Sequence, residues 1–217
     1  KTTIRFVTMG DSQRWYDETE DFVKEINKRN DIDFVIHGGD MSDFGLTKEF
    51  LWQRDIMNGL NVPYVVLIGN HDCLGTGAET YKAVFGPTNF SFIAGNVKFV
   101  CLNTNALEYD YSEPVPNFTF MEQEITSRLD EFEKTVISMH ARPYTDVFND
   151  NVAKVFQHYI RQYPGIQVCT AAHTHHYQDD VIFDDGIHYV TSDCMDYRTY
   201  LVFTITPEKY EYELVKY

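Results

Sequence analysis

Five short polar clusters carry the residue types most able to do chemistry in this chain. They are Gly10-Asp11-Ser12-Gln13, Gly38-Gly39-Asp40-Met41-Ser42-Asp43, Gly69-Asn70-His71-Asp72, His140-Ala141-Arg142-Pro143 and Ala172-His173-Thr174-His175. Their side chains offer carboxylate, amide oxygen and imidazole, a donor mix that suits Mn, Fe or Zn. No thiolate lies within them, and only Cys73 stands nearby. The donors are too many for one tetrahedral zinc. Two divalent cations sharing a carboxylate would use the whole set. Such a pair clamps the entering and leaving oxygens of a phosphoryl transfer and generates hydroxide near neutral pH.

Each cluster follows a short apolar run, so the runs must be the elements that position it. Alternation of apolar runs with amphipathic stretches predicts βα units through the first two-thirds of the chain. Strands are predicted at Ile4–Met9, Phe34–His37, Pro63–Ile68, Thr135–Met139 and Ile166–Thr170, each ending at one of the clusters. Helices are predicted over Trp15–Arg29, Thr47–Leu60, Phe120–Phe132 and Asn151–Tyr163, and a hairpin at Phe90–Ile93 and Val97–Leu102. Ligands in open α/β sheets bind outside the carboxyl ends of strands. Five metal-competent clusters at five such ends therefore point to one convergent site. After Ile166–Thr170 the pattern turns to antiparallel strands at Tyr177–Phe183, Ile187–Thr191, Tyr200–Thr206 and Tyr210–Val215, read as a β-meander. Two sheets packed face to face with outer helices satisfy both halves, a four-layer α/β/β/α sandwich of two mixed sheets.

The 217 residues read as one domain, with no repeat, low-complexity tract or linker. Lys and Arg number 18 against 33 Asp and Glu, a net charge of −15. A chain this acidic repels long nucleic acid and anionic membrane over most of its surface, so an anionic substrate needs a local positive centre. A bound metal supplies one. No apolar run reaches the roughly 18 residues of a membrane span. The four cysteines form no close pair, and Cys101 and Cys169 read as buried thiols. The chain starts at Lys1 without an initiator Met, which favours, mildly, an exported protein with a removed leader. The polar stretch Asn103 to Asn117 is long for a connection and is a candidate lid or substrate loop, with Tyr109 and Tyr111 as pocket candidates.

In residue types and order, Asp11-Ser12-Gln13, Gly39-Asp40, Gly69-Asn70-His71-Asp72, His140 and His173-Thr174-His175 resemble the calcineurin-like metallophosphoesterase superfamily. The resemblance implies one metal held by Asp11, Gln13, Asp40 and His175, and a second held by Asp40, Asn70, His140 and His173, with Asp40 bridging. It implies a metal-bridging hydroxide attacking a phosphomonoester or phosphodiester of modest size. It implies, too, that His71 contacts the phosphate or protonates the leaving oxygen, oriented by Asp72 or Asp43. Asn70, His71 and Arg142 are the substrate-contact candidates; for Arg142 a surface ion pair is the competing reading. Two departures stand out. The first motif of the family is usually Asp-x-His, where this chain has Gln13, and the last usually begins with Gly, where it has Ala172. Gln13 opens an alternative, a metal- or phosphate-binding protein that kept the scaffold and lost turnover. A metallo-β-lactamase-like hydrolase fits poorly, because its His-x-His-x-Asp-His cluster is absent and the paired histidines here come late. His37, His158, His176 and His188 read as structural or exposed.

Overall fold

The computed structural model describes residues 2–107 and 114–217. Tyr109 and Tyr111 lie outside the described residues. The first half alternates as the hydrophobic periodicity predicts: β1 (Ile4–Met9), α1 (Tyr16–Asn27), β2 (Phe34–His37), α2 (Thr47–Met57) and β3 (Tyr64–Val66). There follow α3 (Gly77–Phe85), β4 (Phe90–Ala94), β5 (Val97–Leu102), α4 (Phe118–Thr126), β6 (Lys134–Met139), α5 (Ala153–Ile160) and β7 (Ile166–Ala171). The chain closes with β8 (Gln178–Asp180), β9 (Tyr189–Thr191), β10 (Thr199–Ile205) and β11 (Tyr210–Lys216).

These strands make two mixed sheets, one in the order β11-β10-β1-β2-β3 and one in the order β4-β5-β6-β7-β9-β8. Within the first, β1, β2 and β3 are parallel; within the second, β5, β6, β7 and β9 are parallel. Right-handed βα connections make parallel neighbours end on the same side, so the loops after β1, β2 and β3 emerge together, as do those after β6 and β7. The sheets pack on each other through alternate side chains. Phe6 stacks on Phe34 and Phe203 at centroid distances of 5.6 and 5.1 Å and meets Phe99 of the second sheet edge-on at 5.0 Å. The opposite face of the first sheet buries Val7, Val35 and Val202 against Phe22 and Ile26 of α1, Phe50 of α2 and Tyr81 of α3. That of the second buries Ile137, Met139 and Cys169 against Met121 of α4 and Phe156 and Ile160 of α5. The result is the expected α/β/β/α layering.

Several features depart from the sequence reading, among them a β3 of three residues and an α4 that ends at Thr126. α3 was not predicted; it is a nine-residue helix opened by Gly77 and closed before Gly86, and glycines at both ends of so short a segment read as turns. α4 starts two residues earlier than predicted because the Asn117 side chain accepts from the Phe120 backbone N–H at 3.0 Å and caps it. α5 and β8 are shorter than their patterns. The C-terminal strands do not form one meander: β8 and β9 join the second sheet, while β10 and β11 cross to the first, where β10 pairs antiparallel with β1. Alternation along a strand reports that one face is buried, not which sheet buries it. All four cysteines are free thiols, and among the described residues no helix is long and apolar enough to cross a membrane.

Candidate metal centre

The loops leaving β1 and β2 are tied to each other before any side chain is considered. The backbone N–H groups of Ser12 and Gln13 both donate to the Asp40 carbonyl at 3.0 Å, and the Asp11 N–H donates to the Gly39 carbonyl at 3.0 Å. Close packing here depends on small residues. A Cβ on Gly69 would lie 2.1 Å from Asp40 Oδ1, and one on Gly38 would lie 2.8 Å from the Ala172 methyl. The Ala172 methyl thus fills room that Gly10 and Gly38 leave open, so the departure from the usual glycine is accommodated locally. Asp11, Asp40, His173 and His175 all sit at positive φ, 53°, 56°, 74° and 61°. Such conformations cost non-glycine residues about 1–3 kcal/mol each and gather at ligand sites, where the surrounding bonds enforce them.

Asp40 is the hub. Its buried carboxylate takes the His71 backbone N–H at 2.9 Å on Oδ1, while Oδ2 lies 3.4 Å from His140 Nε2. Asn70 Oδ1 is 3.0 Å from both His140 Nε2 and His173 Nδ1. Asp11 Oδ2 accepts the His173 backbone N–H at 3.0 Å, and its Oδ1 faces His175 Nε2 at 3.3 Å. Two donor groups result, Asp40 with His140 and His173, and Asp11 with Asp40 and His175, each with its ligand atoms within 4.8 Å of one another. They share Asp40. Six of the seven residues singled out as ligands from the sequence are thus brought together by their contacts, and the seventh, Gln13, is buried and lines the same cavity as His175. The donors also fit cations by what they lack. Gln13 Oε1 is a buried acceptor with no hydrogen-bond partner among the described residues, an arrangement that costs about 1–3 kcal/mol unless something positive meets it.

The charges answer to this crowding. Burial disfavours ionised Asp40, but the neighbouring His140 and His71 outweigh it and hold the carboxyl below its ordinary value. Burial likewise opposes a charged His140, yet Asp40 and then Asp11 raise it to about 9. The hydrogen bond to Asp11, with a further one to Cys194, raises His175 to about 10. His140 Nδ1 lies 2.8 Å from the Gly38 carbonyl, which fixes its proton there and leaves Nε2 for a cation.

His71 Nδ1 is 2.8 Å from the Asp43 carbonyl oxygen and 3.7 Å from the Asp43 carboxylate. Of the two acidic partners considered, Asp43 is the one beside the ring. Asp72 points the other way and accepts four hydrogen bonds, from the backbone N–H groups of Asp40, Ser42 and Gly69 and from the Ser42 hydroxyl. It anchors the loop that carries Asp40. Burial, then the Asp40 charge, push its carboxyl up to about 7 against the pull of those donors. The Arg142 guanidinium is held by Asp180 at 2.8 Å and Gln178 at 3.0 Å, the ion pair of the competing reading.

One supporting residue was missed from the sequence, and a second was read only as structural or exposed. Asp146 Oδ1 lies 2.5 Å from His173 Nε2, the outer-carboxylate arrangement that orients metal-binding histidines; it sits in a turn with no motif to mark it. His37, read as structural or exposed, is fully buried. It accepts from the Gly39 N–H on Nδ1 at 3.2 Å and reaches Ser12 Oγ through Nε2 at 2.8 Å, bridging the first two loops. Burial, then the nearby His140 charge, lower it to about 3, so the ring is neutral. Its place at the end of an all-apolar strand was the available signal. The described start of the long loop also serves the site, for Thr104 donates to the Ala141 carbonyl at 2.7 Å and Asn105 to that of Ile68 at 2.9 Å.

The family model for calcineurin-like phosphoesterase matches residues 4–177. The chain belongs to the calcineurin-like phosphoesterase family. That match spans every loop of the centre, from Asp11 to His175. Solved structures agree on the fold. A dimetal phosphatase from Danio rerio superposes with a TM-score of 0.74 at 11% identity, covering 98% of this chain and 97% of its own. The GAP50 anchor in the inner membrane complex of Plasmodium gives 0.74 at 12%, covering 100% and 85%. The calcineurin-like phosphoesterase YfkN from Bacillus subtilis gives 0.58 at 12%, covering 99% and 91%. No curated protein matches the sequence. At these identities the likeness speaks for the fold of a calcineurin-like phosphoesterase, and the chemistry rests on the residues themselves.

Proposed function

We propose that the chain is a binuclear metal-dependent hydrolase of small phosphomonoesters or phosphodiesters. The observation that carries this is the pair of donor groups sharing Asp40, with the buried amide oxygen of Gln13 left without a partner among the described residues. One divalent ion would be held by Asp11, Gln13, Asp40 and His175, the other by Asp40, Asn70, His140 and His173; Mn, Fe and Zn suit these donors. Bound there, the ions supply Lewis acidity, a nucleophile drawn from water near neutral pH and positive charge for the phosphoryl oxygens.

The protein's own groups do the rest. His140 and His173 are held by Gly38 and Asp146 so that their remaining nitrogens converge on Asn70. His71 keeps its Nδ1 proton on the Asp43 carbonyl and presents Nε2 to the phosphoryl group. There it binds a phosphoryl oxygen and delivers a proton to the leaving oxygen. Anionic polymers are poor candidates as substrates, since the surface carries a net −15.

The test is a phosphomonoester and phosphodiester panel run with Mn, Fe, Zn and Mg on wild type and His71→Ala. Metal-dependent turnover that falls at least about a hundredfold in the variant, with metal content unchanged, is expected for a general acid. Two tightly held metals with no hydrolysis of any ester would move the assignment to a metal- or phosphate-binding protein on this scaffold.

A further inference from the structure

A cavity of about 280 Å³ opens directly beside Gln13, His71 and His175. Its volume is at the small end of ligand pockets, enough for one ring system and too little for an extended chain. The wall away from the centre is aromatic. Tyr197 is 46% exposed, and the His176 ring meets it edge-on at 5.4 Å. Trp15 lines the same space, with Arg14 and Asp196. Arg14, which precedes Trp15, and Arg198, which follows Tyr197, both sit in the left-handed region, φ 63° and 54°. Two non-glycine residues held there flank the two largest rings of the wall, the kind of local backbone cost that accompanies ligand sites.

Resting on the phosphoesterase reading, we propose that this cavity receives the alcohol portion of the substrate and that this portion carries a planar, polar ring, as a nucleoside does. With the phosphoryl group held at the centre beside His71, the ester substituent meets the cavity that Gln13, His71 and His175 line. Ring faces on Tyr197 and Trp15 reward a flat π-system by stacking, which an alkyl chain cannot match. Arg14 and Asp196 supply donors and acceptors for ring edges. Being opposite in sign, they leave no net charge for a second phosphate, and Arg14 is already engaged by Asp43. Tyr197 and Trp15 are therefore specificity-determining residues.

The experiment compares adenosine 5′-monophosphate with ribose 5-phosphate, each also as its methyl diester, so that the leaving alkoxide is the same and only the ring differs. The expected ratio of kcat/KM favours the nucleoside by about tenfold, the value of one stacked base. It falls towards one in Tyr197→Ala and is restored in Tyr197→Phe. A ratio near one in wild type, with both compounds hydrolysed, overturns the proposal. If none is hydrolysed, the phosphoesterase reading fails and binding decides the cavity's role separately. In Trp52→Phe protein, whose remaining tryptophan is Trp15, adenosine should quench fluorescence and ribose should not; no response to adenosine overturns the proposal.

Discussion

Filling the centre should expel protons, and the number can be read from the two raised histidines. Without cations, His140 sits near pKa 9 and His175 near 10, so both rings are protonated at pH 7. A cation takes an imidazole only in its neutral form. Each donor group contains one of these rings, so loading at pH 7 should release about one proton per ion. The apparent binding constant of each ion should rise about tenfold per pH unit, levelling off near pH 9 for the His140 group and near pH 10 for the His175 group. Stability follows the same sign. Both folded-state values lie above the ordinary 6.5, so the metal-free fold gains from these protons fully below about pH 6.5 and loses that gain as pH rises through 9 to 10. The loaded protein has no such loss. Titration calorimetry with Mn or Zn, in two buffers of different ionisation enthalpy between pH 6.5 and 8.5, counts the protons directly. Release of less than about half a proton per ion, or affinities flat across that range, would refute the reasoning.

Three further outcomes are expected. Asp146→Asn weakens the outer hold on His173 and should lower affinity for the second ion about tenfold, the low end for such partners because Asp146 is largely exposed; a two-ion titration shows whether the first ion is spared. Asp72→Asn can keep its carbonyl on the Asp40 and Gly69 N–H groups but then sets an amide N–H₂ against the Ser42 N–H. At about 1–3 kcal/mol for that stranded donor, it should cost about 1–3 kcal/mol in denaturant unfolding, and an unchanged midpoint would contradict the anchoring role. Gln13→His supplies imidazole in place of an unpartnered amide oxygen and should tighten the first ion; equal affinity in a competition with a chelator would remove residue 13 from the coordination shell.

What the sequence conveyed and what it hid divide along physical lines. Strand carboxyl ends were legible because Met9, His37 and Met139 close apolar runs abruptly, and parallel βα wiring then forces the following loops together. The layered fold followed from the same runs. The destination of β10 was not legible, since Tyr200–Thr206 is an apolar run buried on both faces that fits an inner position of either sheet, and its pairing with β1 and the packing of Phe203 on Phe6 place it in the first. Within the site, donor types announced themselves, but the residues that aim them did not. Asp146 and His37 reach the site through hydrogen bonds made across the fold, and no spacing records such a bond. Asp72 was visible as a carboxylate next to His71, yet its neighbour in space is the Asp40 loop, because the single turn His71–Cys73 points consecutive side chains apart.

The central claim is that distant loops make one centre for a pair of cations with Asp40 common to both. It is tested most directly by counting divalent metal per chain after reconstitution and desalting, in wild type, Asp11→Asn and Asp40→Asn. Two ions in wild type, one in Asp11→Asn and neither held tightly in Asp40→Asn follow from the shared carboxylate. Wild type holding no metal, or Asp40→Asn retaining both ions, would contradict it.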